Sequence, residues 1–293
     1  MKFTYLFCLS LIVFNCKNQE TREVPQSTHP VWSPDGSKIA FINNSEGVEA
    51  NNAIDFEVFT MNADGGDLTQ HTFNDAFEAD ISWSPDGSKL AIKSYRDGND
   101  EVYIIDLITN DQRNISNHPA HDGSPCWVGN RIFFRSKRDH EKGELYEYNL
   151  ETEVISRLTD NDMDEVGAVW SPDENMVAFT SGATGNDELY LMTTNGDSVV
   201  QLTNNELNDW YPQWSPDGTS ILFTYGDWNT DIWELRRIEL DTKNESVVLK
   251  GTDSGNASWH PKGEVIAYGS SKSGKGEIYS YDLSSKTSVQ ITK

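Results

Sequence analysis

The chain has 293 residues, 36% hydrophobic and 11% aromatic, with 21 glycines and 10 prolines. That is enough apolar matter for a core, and the aromatic and turn-forming share points to β structure. Lys and Arg number 23 against 47 Asp and Glu, a net charge of −24, so the surface repels phosphates and excludes nucleic acid or an anionic membrane surface as partner.

Residues 1–16 read as an address rather than as folded structure. Met1-Lys2 is a short positive start, and Phe3 to Phe14 is an apolar run broken only by Thr4, Cys8 and Ser10. The run is too short to span a bilayer and suits a signal-peptide core. It ends in Asn15-Cys16-Lys17 ahead of a polar linker, residues 17–28. This resembles a bacterial lipoprotein signal, in which Cys16 is lipidated and becomes the first residue of the exported chain. Asn15 departs from the Gly, Ala or Ser usual before that cysteine, and looser boxes followed by Cys-Lys resemble lipoproteins of the Bacteroidetes type. An ordinary cleaved signal is the alternative. The expectation is a cell-envelope protein attached to the outer membrane through its lipid alone, facing the periplasm or the outside. With Cys8 removed and Cys16 acylated, Cys126 is left single, so no disulfide framework is expected, and beside Trp127 it reads as a small buried hydrophobe.

From residue 29 to the end, one unit is written six times. Tryptophans at 32, 83, 127, 170, 214 and 259 open the copies at intervals of 51, 44, 43, 44 and 45 residues, a period that marks a repeat architecture. Residues 81–116 show the unit most clearly, as four β-rich runs, "ISWSPDG", "KLAIKSY", "EVYIID" and "QRNIS", separated by turn residues. In "SPDG", Pro presets the first corner of a hairpin, Asp tolerates the second and Gly takes the left-handed position. The motif is a structural clasp and the Trp before it a core anchor. Later copies drift to "WVGN" at 127–130, "WSPDEN" at 170–175 and "WHPKG" at 259–263. The third run recurs as "EVF", "EVY", "ELY", "ELY", "DIW" and "EIY", and the fourth ends in "LT", "IS" or "IT", with His71-Thr72 at that register in the first copy.

Four-stranded units of this length pack side by side around a central channel, which predicts an all-β fold, a six-bladed β-propeller with inner strands at the tryptophans. The residues resemble the TolB-like, WD40-like propeller repeat, whose mark is "WSPDG" followed by a "Y" strand and "LT". The resemblance implies a propeller over residues 29–293 without the α/β domain that precedes it in TolB. Each blade is expected to come from its own repeat, and ring closure to rest on packing of the last blade against the first, helped by residues 23–28.

With the SPDG turns at the bottom, the longer and more variable connections lie on top, where propeller ligands bind. Five residues before the tryptophans stand Glu78, Asp122, Glu165 and Asp209, with Ser27 and Ser254 in the other copies. They read either as an acidic collar that holds a divalent cation or a basic group, or as acceptors that shape each loop. Trp210 and Tyr211, in the link, and Trp228, in the next loop, offer flat rings for a sugar or a partner's apolar residue, or pack between loops. His118 and His121 have metal-ligand chemistry without a second cluster at recognisable spacing. The loop Asp97-Gly98-Asn99-Asp100 lacks the oxygen set of a calcium loop. Arg135, Lys137 and Arg138 form the one basic cluster and read as salt-bridge partners.

No nucleophile elbow, HExxH, phosphate loop or dinucleotide fingerprint occurs, so no catalytic residue is assigned and no cofactor is expected beyond a divalent cation. Two functions remain. The first is a monomeric, lipid-anchored binding or scaffold module for a protein or glycan. The second is a metal-dependent polysaccharide lyase-like or other carbohydrate-active propeller, since related propellers include oligogalacturonate lyases. Related propellers also gate prolyl-oligopeptidase-type peptidases, but no hydrolase sequence follows here, and a peptidase is not expected.

Overall fold

A computed structural model describes residues 27–44, 56–161, 163–227, 229–230, 232–251 and 256–292. Cys16, Trp228 and Ser254 lie outside the described residues. The rest fold as six antiparallel sheets of four strands in sequence order, so each blade is completed by its own repeat. Blades 1 to 6 run Ser27–Gln70, Glu78–Asn114, Asp122–Arg157, Val166–Gln201, Asn208–Lys250 and Ala257–Gln290.

The strand that ends at the tryptophan is innermost in each blade, and successive inner strands pack against one another around the ring, the first against the last. Ser27 and Thr28, assigned above to the linker, already belong to the first inner strand, where Ser27 pairs with Asn43. Closure is completed by backbone and side-chain bonds: Ser27 N donates to Gly276 O at 2.9 Å, and Trp32 N donates to Ser258 Oγ at 2.9 Å.

The apolar core is not one body but a set of cores between blades. One cluster joins Ile42 and Val58 of blade 1 to Trp83 and Ile92 of blade 2. Others join Phe133 to Trp170 and Phe179 across blades 3 and 4, and Trp32 and Phe41 to Ala267 and Ile278 across the closing joint. Phe133 and Trp170 stack with centroids 3.9 Å apart. The indole N–H groups of Trp83 and Trp214 donate back to Val31 O and Val169 O of the preceding blade at 3.0 Å.

The bottom clasp holds more tightly than the turn signal alone implies. In blade 1, Ser33 Oγ donates to Asp35 Oδ1 at 2.7 Å and accepts the Lys38 amide at 2.9 Å, while Gly36 closes the turn at φ 73°. The Ser33 hydroxyl first, then the Ser37 amide and hydroxyl at 2.9 and 2.8 Å, hold the Asp35 carboxyl down at about 2. The aspartate is therefore a hub and not merely a tolerant turn residue.

At the top, the terminal Thr or Ser of the fourth run in blades 1 to 4 and 6 has an equally local purpose. Thr72, Ser116, Thr159, Thr203 and Thr292 each accept, at 2.8–2.9 Å, the amide of the second residue of their blade's third strand: Val58, Val102, Leu145, Leu189 and Ile278. The outer strand is short, and this hydroxyl fixes its end where ladder bonds run out. Thr159→Val keeps the shape but orphans the buried Leu145 amide. It is expected to cost about 1–3 kcal/mol in urea unfolding, whereas Ile108→Ser, at an 86% exposed residue, stays within about 0.5 kcal/mol.

Candidate functional site

Five inner strands carry a β-bulge near their top ends. Three residues before the tryptophan, each sets one residue in the left-handed region: His29 (φ 56°), Asp80 (51°), Ser124 (51°), Gly167 (61°) and Tyr211 (57°). Four of the five are not glycine, so the backbone is held there against its preference. These residues form a ring about the channel. The His29 ring stands edge-on to Tyr211 of blade 5 at 6.3 Å, and Ser124 N of blade 3 donates to Asp80 Oδ2 of blade 2 at 3.2 Å.

The second strands add charge above this ring. Lys93 Nζ lies 3.3 Å from Asp80 Oδ2 and 5.7 Å over the Phe77 ring. Burial alone would discharge both groups. The Asp80 carboxylate nonetheless keeps Lys93 above its ordinary value, and Lys93, with His29, keeps Asp80 below its own. Arg135 pairs with Asp164 at 2.5 Å, and its burial beside Arg135 lowers Lys137. On the opposite side, Trp210 Nε1 donates to Asp187 Oδ2 at 2.6 Å, and the Trp210 ring stacks on Trp233 at 5.7 Å. The mouth thus carries ion-paired cations along blades 2 and 3, and an acid bonded to an aromatic along blades 4 and 5.

The predicted acidic collar is placed differently. Glu78, Asp122, Glu165 and Asp209 are 0–1% exposed; none presents an open carboxylate to the mouth. The inner strands start earlier than the sequence suggested, with Glu78 and Asp122 as their first residues, and the side chains turn into the joint with the preceding blade. There each meets the glutamate that begins that blade's third strand. One residue of the link ties most pairs together. Asn161 gives its amide to Glu144 at 3.3 Å and its Nδ2 to Glu165 at 2.6 Å; Asn205 does the same for Glu188 and Asp209 at 2.9 and 2.7 Å. Asn74 binds Glu57 and Glu78 in the same way. Arginines complete three joints: Arg96 on Glu78 at 3.0 Å, Arg138 on Asp122 at 2.9 Å and Arg157 on Glu144 at 3.0 Å. Burial, the largest cause, raises all four collar acids, with Glu165 pushed up to about 7 and Asp209 to about 8.

Of the predicted aromatics, Trp210 and Tyr211 lie within the inner strand Asn208–Trp214 and not in a link. His118 Nδ1 accepts the Ala120 amide at 3.1 Å, while exposed His121 lies 3.2 Å from Asp100; the two shape neighbouring turns. Among the described residues, no group of three or more His, Cys, Asp or Glu is arranged for a metal ion. Arg135 and Arg138 are the salt-bridge partners anticipated. Cys126 packs half-buried beside the Phe133–Trp170 core, where burial pushes its thiol up to about 11.

His29, Asp80, Lys93 and Ser124 belong to no motif that the sequence marks. A signal was present: at three residues before the tryptophan the copies read His, Asp, Ser, Gly, Tyr and Asn, a position where the repeat never agrees with itself.

Residues 81–293 match the family model described as the TolB beta propeller domain, and the chain belongs to that family. It is similar to the Tol-Pal system protein TolB of Desulfosudis oleivorans, 28% identical over 124 residues that cover 42% of this chain and 26% of the relative. The chain spans about a third or less of the length of the curated relatives it matches. Among solved structures, TolB from Acinetobacter baumannii superposes with TM-score 0.72 at 17% identity, covering 91% of this chain and 63% of that one. An oligogalacturonate lyase in complex with manganese gives TM-score 0.58 at 14% identity, covering 92% and 78%. Both structures share the fold.

The channel ring yields a measurable titration. Burial lowers His29 from 6.5 to about 4, and Asp80 only partly offsets it. Between those values the unfolded chain binds a proton that the folded one refuses, so this residue makes stability fall as pH drops from 6.5 towards 4. Nitrogen-detected NMR is expected to show a neutral His29 ring down to about pH 5. A His29→Gln variant is expected to lose part of the acid-side decline in melting temperature.

Proposed function

We propose that this propeller is a binding module of the bacterial cell envelope that takes a protein partner at the top mouth of its channel. The observation that carries the reading is the ring of His29, Asp80, Ser124, Gly167 and Tyr211. Strained backbone is retained there, and the residue types differ from blade to blade while the clasp and joint residues repeat. Strain of this kind is kept where surrounding structure holds a surface ready for a ligand. The mouth has ion pairs along blades 2 and 3 and an acidic, aromatic side along blades 4 and 5, which suits a polypeptide segment with both charges, and such complementarity favours selection of partner and orientation. A glycan platform is less well served: Trp210 is already stacked on Trp233 and bonded to Asp187. The similarity to a Tol-Pal system protein supports an envelope setting, as does the signal-like segment ending at Cys16, which we assign as the lipid attachment point.

The lyase reading asks for converging metal ligands, and His118 and His121 serve separate turns instead. The binding reading therefore stands ahead of it.

The mouth is tested with Tyr211→Ala and Val166→Glu, the latter at a 39% exposed residue beside the ring, against Lys262→Ala on the bottom. Proteins captured from envelope fractions by the wild-type domain are expected to be lost at least about tenfold from both mouth variants and kept by the bottom variant. Equal capture by all three, or capture that survives protease but not glycosidase treatment, would reject a protein partner at the mouth. For the anchor, Cys16→Ala is expected to shift the full chain from the membrane to the soluble fraction; unchanged fractionation rejects the lipid.

A further inference from the structure

The joint between blades 4 and 5 breaks the charge rule that the three joints before it keep. Where Glu78, Asp122 and Glu144 each receive an arginine, neither Glu188 nor Asp209 has a lysine or arginine partner among the described residues. The register explains why. Ser94 pairs with Glu78, and Arg96 follows two residues on; Ser136 pairs with Asp122, and Arg138 follows in the same way. In blade 5, Asp209 pairs with Tyr225, and the residue two further on is Asp227, another acid.

Both side chains are fully buried, at 0% exposure. Asn205 holds them together, its amide on Glu188 Oε1 and its Nδ2 on Asp209 Oδ2, and Asn186 Nδ2 adds a bond to Glu188 Oε1 at 2.9 Å. After these bonds one oxygen of each acid, Glu188 Oε2 and Asp209 Oδ1, is buried without a hydrogen-bond partner. The surroundings do not supply positive charge. Asp187 stands next to Glu188 on the third strand of blade 4, Glu206 lies in the link, and Tyr225 and Asp227 face from the second strand of blade 5. From the outer half of that blade come Glu234, Glu245, Arg236 and Lys250. Arg236 is held by Glu234 and Glu245 at 2.8 and 3.4 Å and lies 3.4 Å over the Tyr225 ring. Lys250 is held by Glu234 at 3.2 Å.

Two buried bare carboxylates cannot both stay ionised in such a place. A protonated carboxyl becomes the missing donor, and the other carboxylate the acceptor. We propose that Glu188 and Asp209 share one proton, so that a carboxyl–carboxylate hydrogen bond between Glu188 Oε2 and Asp209 Oδ1 fastens blade 4 to blade 5 and comes undone in alkali. The balance is simple: on release, the O–H bond breaks, the proton passes to water and two facing carboxylates remain. Burial first, and then Glu188 and Glu245, push Asp209 from 3.8 up to about 8. Between those values the folded protein holds a proton that the unfolded chain has given up. The joint thus contributes stability that is complete below pH 3.8 and lost as pH rises through about 8. The proton belongs to the pair, not to either residue. Because Asp187 next to the pair holds Trp210 at the mouth, loosening of this joint reaches the binding face.

The test is a set of thermal melts of the whole chain as wild type, Glu188→Gln, Asp209→Asn and the double variant, from about pH 6 to about pH 9, in EDTA and in calcium. Either amide supplies permanently the N–H that the shared proton supplies only below its release. Each single variant is therefore expected to flatten the alkaline decline in melting temperature seen in wild type, with the double variant adding nothing further. Infrared spectra at neutral pH are expected to lose a protonated-carboxyl C=O band in either single variant. Should Asp209→Asn fail to fold, Glu188→Gln and its infrared spectrum decide. Parallel pH curves for wild type and Glu188→Gln overturn the shared proton. A calcium-induced rise in wild-type melting temperature at alkaline pH that Glu188→Gln abolishes overturns it too, and assigns the joint to a metal ion.

Discussion

A blade of four short strands has two apolar faces and no layer of its own to cover them. Each must therefore bury itself on the next blade, and the ring holds only as well as its joints. The described apolar clusters sit between blades, so Phe133 is in contact with Trp170 of the following blade as closely as with its own sheet. Hydrophobic burial of this kind is non-directional; it presses blades together without fixing their angle or height. The directional bonds do that: Trp32 N to Ser258 Oγ and Trp127 N to Ser82 Oγ, each at 2.9 Å, and the indole bonds of Trp83 and Trp214. The repeated tryptophan is at once a core residue and a peg in the neighbouring blade.

The paired carboxylates at the top of the four joints from blade 1 to blade 5 follow from the same demand. Links between blades are irregular backbone, and their amides need acceptors once the ring has covered them. A glutamate at the start of the third strand accepts the backbone amide of Asn74, Asn161 or Asn205, and the acid near the start of the next inner strand accepts the side-chain N–H of the same asparagine. The cost is the desolvation of two negative charges, which Arg96, Arg138 and Arg157 offset and which blades 4 and 5 leave in place. The channel histidine has the opposite fault, being buried in a form that refuses protons. Falling pH therefore weakens the ring at His29, from 6.5 towards about 4, while rising pH weakens it at Glu165 and Asp209, up through about 7 and about 8, so the two kinds of group oppose each other across the acidic range.

Sequence periodicity made the fold legible because the same physical job is repeated: the tryptophan stands in all six copies, the SPDG clasp is kept whole in three and in part elsewhere, and the fourth run ends in Thr or Ser in blades 1 to 4 and 6. The acids five residues before the tryptophans were legible as a set but not in direction. Position alone says that Glu165 lies near the mouth; it does not say whether its side chain faces the channel or the joint. That is decided by Asn161 and by Glu144, which begins the third strand of blade 3, long-range partners that no local pattern couples. The bulge that turns Asp80 inward was invisible for a related reason. It adds one residue to a strand without changing its composition, and only pairing against the second strand reveals it.

A repeat also separates structure from function in a way that a single domain cannot. Where six blades face the same mechanical problem, agreement among them marks the solution, as at Gly36, Gly87 and Gly218 with φ of 73°, 70° and 70°. Disagreement at a fixed register, in a position that the fold holds rigid and strained, has no such mechanical cause. His29, Asp80, Ser124, Gly167 and Tyr211 occupy one geometric ring with five different side chains. A symmetric ring could serve symmetric packing only by repeating itself. That symmetry is broken at the channel, and the rim above it differs around its circuit, with the ion pairs Lys93–Asp80 and Arg135–Asp164 on one side and the Asp187–Trp210 hydrogen bond on the other; an asymmetric surface of this kind can tell one orientation of a ligand from another, as a symmetric one cannot.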